Sequence, residues 1–127
     1  MPSIFIPLTH YNRVLDQRIV PKDPLAFIQS CVRRKQIRWT YHATMRFRQR
    51  VIGFEAVLDS VDSYEVIEEY SEDKYLPSYL IRAGQEGSIF HIHAAADLEG
   101  DNVRIVTAYV PNPQEWDTEL RTRRMVE

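Results

Sequence analysis

The chain has 127 residues, 44% apolar and 27% charged, with a net charge of −2 and a pI near 6.1. These values predict one globular domain and argue against disordered, fibrous and generic nucleic-acid-binding classes. No apolar run approaches the roughly 20 residues of a membrane span. A signal-peptide pattern and a partner for Cys31 are both missing, so we expect a cytoplasmic protein with a buried free thiol.

Three helices are predicted in the first half of the chain, after an N-terminal arm. Residues 1–22 contain three prolines and no clear periodicity, which predicts an arm rather than a folded unit. The first helix begins at the N-cap Asp23 and ends near Lys35. A second helix covers Thr40–Val51 and is capped by its own first residue, and apolar spacing predicts a short third helix over residues 54–61.

The second half of the chain is typical of a β-sheet. Four strands are predicted, separated by turns rich in glycine, proline and acidic residues: Tyr64–Tyr70, Ser78–Ala83, Ser88–Asp97 and Val103–Val110. The expected fold is α+β, with residues 23–127 forming a single domain. In it, N-terminal helices pack on a four-stranded, mainly antiparallel sheet.

The last two strands carry polar side chains at every second position. If the turn between them places Ala95 opposite Ile105, one face of the hairpin is apolar and can pack against helices. The same register pairs the polar side chains of the other face, His91 with Tyr109 and His93 with Thr107.

The second helix carries a cationic stripe. At about 100° per residue, His42, Arg46 and Arg50 lie on one side of the helix within an arc of roughly 100°. Such a stripe is either a solvated flank or a surface that binds an anion, because the guanidinium group suits bidentate contact with phosphate.

Charge is also segregated along the whole chain. Residues 33–50 are basic, residues 55–73 are acidic, and residues 121–124 are basic again. This segregation favours a polyanion partner on one face. The alternative is that the basic and acidic blocks pair with each other at the surface.

Several short motifs, taken in order, resemble those of a bacterial family. They are Thr40-x-His42-Ala43-x-x-Arg46-x-x-x-Arg50-x-Ile52, Pro77-Ser78-Tyr79-Leu80, His91-Ile92, Ile105-Val106-Thr107-Ala108-Tyr109-x-Pro111-Asn112-Pro113-x-x-Trp116 and Arg121-Thr122-Arg123-Arg124. Over residues about 25 to 124 the chain resembles the domain-of-unknown-function family 4258. At His93 this family usually has an aliphatic residue.

The resemblance has implications for fold, activity and partners. The family is similar to RelE, MqsR and BrnT-type toxins, which are small α+β ribonucleases, and its members are often encoded beside zinc-finger antitoxins. It therefore implies a RelE-like fold and a toxin-like endoribonuclease of the mRNA interferase type. RNA and a cognate antitoxin are the implied partners.

The candidate residues suit metal-independent cleavage of RNA, which needs a base for the 2′-OH, an acid for the leaving oxygen and cations for the phosphate. The predicted catalytic residues are His42, Arg46, Arg50, His91 and Tyr109. The predicted substrate-binding residues are Thr107, Trp116, Arg121 and Arg124. This chemistry requires no cofactor and no metal.

Other interpretations of these residues stay open. His42 could only bond a backbone carbonyl, and Trp116 could be a hydrophobic lid. His91 and His93 with Asp97 form a weak metal pattern. At the level of the whole protein, the alternative is a non-catalytic module that binds RNA or protein, which the low pI favours.

Overall fold

The structure, a computed structural model, describes residues 13–15, 18–48 and 52–125, with side chains for residues 19–45 and 52–125. The helices are α1 (Pro24–Arg33), α2 (Tyr41–Arg48) and α3 (Phe54–Asp59), followed by a 3₁₀ turn at Val61–Ser63. The strands are β1 (Arg13–Leu15), β2 (Arg18–Val20), β3 (Ile37–Trp39), β4 (Glu65–Tyr70), β5 (Ser78–Ala83), β6 (Phe90–Asp97) and β7 (Asn102–Tyr109). The predicted α+β class is confirmed.

The main sheet has five strands in the order β3-β7-β6-β5-β4 and is mixed. Strands β4 to β7 form the predicted antiparallel series, whereas β3 pairs parallel to β7, with Trp39 opposite Ile105. The expectation of four antiparallel strands is therefore wrong at this edge. Strand β3 has only three residues, too few to show a period of two in the sequence.

A short ribbon lies in the segment that was expected to be an unfolded arm. Strands β1 and β2 pair antiparallel, with Arg13 opposite Val20, and the Val20 side chain is 1% exposed. The end of the arm therefore has regular structure and is buried at Val20 and Pro21. Residues 1–12, 16 and 17 of the predicted arm lie outside the described residues.

Both predicted helix caps are confirmed. Asp23 Oδ1 accepts a hydrogen bond from the backbone N–H of Ala26 at 3.0 Å. Thr40 Oγ1 accepts from the N–H of Ala43 at 3.1 Å and donates to the carbonyl of Val106 at 3.0 Å. Thr40 therefore both starts α2 and ties that helix to β7. The predicted end of the helix, after residue 48, lies outside the described residues.

The helices cover one face of the sheet, called the core face here. The core is formed by α1, α2 and α3 residues packed on the sheet: Ile28, Cys31, Ala43 and Val57 against Tyr79, Ile81, Ile92, Ala94 and Ile105. Cys31 is fully buried, and this burial raises the pKa of its thiol to about 11. The expectation of a buried free thiol is confirmed.

The opposite face of the sheet, called the polar face here, carries the predicted pairings of the last hairpin. His91 lies opposite Tyr109 and His93 lies opposite Thr107, as expected. The expected pairing of Ala95 with Ile105 is wrong, because a β-bulge beyond His93 shifts the register and places Ala95 opposite Arg104. The polar face includes Glu68, Tyr70, Ser78, Arg82, His91, His93, Thr107 and Tyr109.

The C-terminal strap, residues 111–125, crosses the polar face. The side chain of Trp116 is 1% exposed, and its backbone forms a bridge with Arg123. Arg82 Nε donates to the carbonyl of Glu119 at 2.8 Å, which joins the strap to β5. The strap therefore buries one part of the polar face and leaves the rest accessible. Among the described residues, none of the helices has the length and apolar character needed to cross a membrane.

Candidate functional site

His91 lies in the interior, beneath the C-terminal strap. Its side chain is fully buried, and Nε2 donates to the carbonyl of Leu120 at 2.8 Å. Because a carbonyl only accepts, Nδ1 of the neutral ring is the acceptor for the Tyr109 hydroxyl at 3.2 Å. The indole of Trp116 packs at right angles to the imidazole, with 4.5 Å between centroids. Both ring nitrogens are therefore occupied.

This environment does not favour the roles predicted for His91 and Trp116. Burial lowers the pKa of His91, although the Leu120 carbonyl acts in the opposite direction. A buried neutral imidazole with two internal hydrogen bonds has no nitrogen left for the acid or base role that was expected of it. Trp116 is buried too, and its ring contacts His91 and the Arg123 guanidinium, so its side chain is not exposed to a ligand in this structure.

His93, two residues further along β6, has a different environment. The Ser78 hydroxyl donates to Asp73 Oδ2 at 2.6 Å, so its oxygen accepts from the N–H at Nε2 of His93, 2.9 Å away. We call this chain of hydrogen bonds the Asp73–Ser78–His93 relay. It directs the proton of the neutral ring to Nε2 and makes Nδ1 the basic nitrogen. Nδ1 has no hydrogen-bond partner among the described residues.

The His93 ring lines an open cavity of about 340 Å³ on the polar face, called the His93 cleft here. The cleft is lined by Tyr70, Asp73, Leu80, His93, Thr107, Tyr109 and Arg123. Burial lowers the pKa of His93 below its ordinary value of 6.5, against the opposing effect of the Asp73 and Glu68 carboxylates. At neutral pH the cleft therefore contains an uncharged imidazole that can accept a proton.

Two hydroxyl groups predicted from the sequence also lie in this cleft. Thr107 is half-buried opposite His93, and Tyr109 lines the cleft while donating its proton to His91. Burial raises the pKa of Tyr109, so its phenol stays protonated at neutral pH. The phenol oxygen can therefore accept a hydrogen bond, and the Thr107 hydroxyl can either accept or donate.

Arginines of the strap approach the cleft but are paired with glutamates of β4. Arg123 Nε and Nη2 lie 2.8 and 3.2 Å from the two carboxylate oxygens of Glu68, and its guanidinium lies over the Trp116 ring, 4.6 Å from the centroid. Burial raises the pKa of Glu68, but hydrogen bonds from Arg123 and Tyr70 outweigh it and hold the value below the ordinary one.

Of the two arginines predicted to bind substrate, neither lines the His93 cleft. Arg121 Nε lies 2.8 Å from Glu65, and Nη1 lies 2.5 Å from Glu119. Arg124 is exposed, and its Nε donates to the carbonyl of Pro113 at 3.0 Å. The alternative in which basic and acidic blocks pair with each other is therefore correct for Arg121 and, at the cleft, for Arg123.

Helix α2, which carries His42, lies on the core face of the sheet. His42 is exposed, and its neighbour Ala43 is buried in the core against the sheet. Because His91 points to the polar face, the sheet separates the two imidazoles, and these two predicted catalytic residues do not lie in one cleft. The side chain of Arg46 and all of Arg50 lie outside the described part of the chain, so their role stays a prediction.

The described residues contain no group of three or more His, Cys, Asp or Glu side chains placed to hold a metal ion. The sequence suggested a weak metal pattern of His91, His93 and Asp97, but both ring nitrogens of His91 already have hydrogen-bond partners. The Asp97 carboxylate contacts the backbone N–H of Gly100 at 2.9 Å and Arg104 at 3.5 Å. The three side chains therefore do not act together.

Comparisons with known proteins place the chain in a family. No curated protein and no solved structure matches it significantly. Residues 39–110, more than half of the chain, match the family described as Domain of unknown function (DUF4258). The matched region extends from β3 to the end of β7 and contains the whole Asp73–Ser78–His93 relay. The family that the motifs indicated is therefore confirmed, and the chain belongs to the DUF4258 family.

Proposed function

We propose that this protein is a toxin-like endoribonuclease that cleaves RNA without a metal, with His93 as the general base. The observation that carries the proposal is the Asp73–Ser78–His93 relay in an open cleft. The relay orients the ring and leaves Nδ1 as its proton acceptor. Burial holds the pKa of His93 below 6.5, so the ring is in the basic form at neutral pH.

The proposed reaction is attack by the ribose 2′-oxygen on the adjacent phosphorus. Nδ1 of His93 takes the 2′-OH proton while the bond from O2′ to phosphorus forms and the bond to O5′ breaks. The leaving 5′-oxygen takes a proton from water in the open cleft, and the hydroxide formed recovers the proton from His93. The products are a 2′,3′-cyclic phosphate and a free 5′-OH. The 2′-OH requirement makes RNA, and not DNA, the substrate.

The phosphate would be held by side chains around the same cleft. Thr107 can donate a hydrogen bond to a phosphate oxygen, and Arg123 lies at the cleft with its side chain 57% exposed. Arg123 Nε and Nη2 are held by Glu68, whose side chain is 20% exposed, so a phosphate would be contacted through the remaining guanidinium N–H groups while the ion pair stays in place. Growing charge on the phosphate would then be offset by the guanidinium.

The RelE-like fold, the cytoplasmic location and a cognate antitoxin, of a zinc-finger type, belong to the same proposal. The fold and the antitoxin are supported by motifs that resemble the DUF4258 family, which is similar to RelE, MqsR and BrnT-type toxins, and by the α+β class of the structure. The location is supported by the unpaired Cys31. In this setting the substrate is messenger RNA, and the antitoxin restrains the nuclease.

The experiment uses purified protein, free of any antitoxin, with RNA and EDTA. We expect the wild type to cleave the RNA. The cleavage rate of His93→Gln should be lower by about 100-fold or more, because a general base contributes at least this much to the rate. Glu86→Gln, a substitution in the exposed turn between β5 and β6, serves as the control that keeps the wild-type rate. Cleavage by His93→Gln at the wild-type rate would exclude the proposed base.

A second candidate function is a non-catalytic module that binds RNA or protein. It is favoured by the ion pairs of Arg121 with Glu65 and Arg123 with Glu68, because an arginine already paired with a glutamate offsets less of the charge that grows on a phosphate during cleavage. This function predicts binding that weakens as salt rises, with intact RNA after long incubation. The cleavage experiment separates the two functions directly.

A further inference from the structure

A second cavity adjoins the His93 cleft on the polar face. It has a volume of about 210 Å³, and we call it the Tyr75 cleft after its most prominent side chain. Its lining includes Thr40, Lys74, Tyr75, His93 and Arg104. The mechanism proposed above uses only the first cleft, so the second one needs its own explanation.

The two clefts share the catalytic relay. Asp73 and His93 line both cavities, and Ser78, which joins them, lines the Tyr75 cleft. The imidazole therefore lies at the border between two open spaces. A polynucleotide strand that places its 2′-OH and phosphate at His93 would have one nucleotide in each cleft. The position of the His93 imidazole between the two clefts thus predicts one nucleotide-binding site on each side of the cleaved bond.

Tyr75 has the properties of a stacking platform for a nucleobase. Its side chain is 78% exposed at the cleft, and the Lys74 amine lies 5.1 Å from the centroid of its ring. Exposed aromatic rings beside cations bind single-stranded nucleic acids by stacking on successive bases. A tyrosine kept in water at the mouth of a cleft contributes little to the folded core, whereas it suits this kind of contact.

Arg104 supplies a cation at the same cleft. Its guanidinium lies 3.5 Å from Asp97, a long distance for an ion pair, and its side chain is 45% exposed. The Asp97 carboxylate is 16% exposed and contacts one guanidinium nitrogen, so the other N–H groups of Arg104 stay available to a phosphate. The Tyr75 cleft therefore combines a flat aromatic surface with a cation, which matches a base and its phosphate.

We infer that the substrate is single-stranded RNA and that the base of the nucleotide next to the cleaved bond stacks on Tyr75, with its phosphate on Arg104. This inference rests on the proposed function and adds the class of substrate and a second subsite. In a duplex the bases are stacked on each other inside the helix, so no base can reach Tyr75. Paired RNA is therefore excluded from the site.

The test measures binding without cleavage, by fluorescence anisotropy of a short 2′-O-methyl RNA, which lacks the nucleophilic hydroxyl. We expect the single strand to bind at least ten times more tightly than the same strand annealed to its complement. Tyr75→Ala should weaken binding of the single strand about tenfold or more, whereas Tyr75→Phe keeps the affinity. Tyr41→Ala is the matched control, because Tyr41 is 80% exposed and lines neither cleft.

The inference would be overturned if the protein bound the single strand and the duplex with equal affinity. It would also be overturned if Tyr75→Ala and Tyr41→Ala lost the same amount of affinity for the single strand. The results of the binding and cleavage experiments distinguish failure of this inference from failure of the proposed function. Binding that depends on Tyr75, with no cleavage of ordinary RNA, keeps the subsite and removes the nuclease. Cleavage at the wild-type rate by Tyr75→Ala, with unchanged binding, keeps the nuclease and removes the subsite.

Discussion

Two histidines on the same face of β6 differ because of what lies over them. The C-terminal strap covers His91 and occupies both of its nitrogens, whereas His93 lies at two open clefts with one nitrogen directed by Ser78. The sequence shows both as strand residues of equal parity, and only the position of the strap distinguishes them. This is why the expected site contained His91 and omitted His93.

The charge of Asp73 should affect the pH at which the protein loses activity. A protonated imidazole cannot accept the 2′-OH proton, so kcat/KM for RNA should fall as pH decreases through the His93 pKa, which lies below 6.5. The Asp73 carboxylate raises that pKa, and Asp73→Asn removes its charge. We therefore expect the acid limb of the pH profile to move to lower pH in this variant.

The control for this shift is Asp59→Asn, which removes an exposed carboxylate of α3 that lines neither the His93 cleft nor the Tyr75 cleft. Its profile should coincide with that of the wild type. A limb that stays in place or moves to higher pH in Asp73→Asn would show that the carboxylate does not act on the base.

At the scale of elements, Thr40 joins α2 to the sheet. Its hydroxyl caps the helix at Ala43 and also donates to the carbonyl of Val106 beside the β-bulge. Thr40→Ala removes both hydrogen bonds, and we expect the free energy of unfolding to fall by about 1–2 kcal/mol. Thr40→Ser keeps the hydroxyl, so its free energy of unfolding should fall much less. Urea unfolding of the two variants measures the difference, and equal losses would contradict the assigned role.

Elements with a strong local signal were predictable. The caps Asp23 and Thr40 stand before helical periodicity, and the alternation in β6 and β7 sets the pairing of His91 with Tyr109. Strand β3 gave no such signal, because its three residues pair with a strand more than sixty positions later. Such a parallel pairing depends on tertiary contacts that a local pattern does not contain.

The candidate site was less predictable than the elements. The relay brings together a loop residue, Asp73, with Ser78 of β5 and His93 of β6. Its existence depends on the register between those strands, which no single segment determines. The sequence did show the polar residues of the last hairpin, and Thr107 and Tyr109 do line the His93 cleft.

At the scale of the whole molecule, the neutral state of His91 links folding to pH. In the unfolded chain a histidine binds a proton below a pH of about 6.5, while burial keeps the pKa of folded His91 below that value. The unfolded state then binds more protons, so the free energy of unfolding decreases as pH falls from 6.5 towards the folded pKa. The slope from one such group is at most about 1.4 kcal/mol per pH unit.

Urea unfolding between pH 7.5 and pH 5.5 measures this dependence. His93 acts in the same direction, since burial lowers its pKa as well. The variant His93→Gln isolates the contribution of His91 and should keep part of the slope. Stability that is constant, or that rises as pH falls over this range, would mean that His91 is not held neutral in the folded protein.

The whole account depends on an RNA-cleaving cleft on the polar face, where the base is the imidazole at the border of two cavities. The most direct measurement is the chemical identity of the RNA ends produced by the purified protein in EDTA. We predict 2′,3′-cyclic phosphate and 5′-hydroxyl ends from the wild type, and the same ends formed at least about 100-fold more slowly by His93→Gln. Ends with a 5′-phosphate, or RNA left intact by the wild type at every pH, would contradict the account.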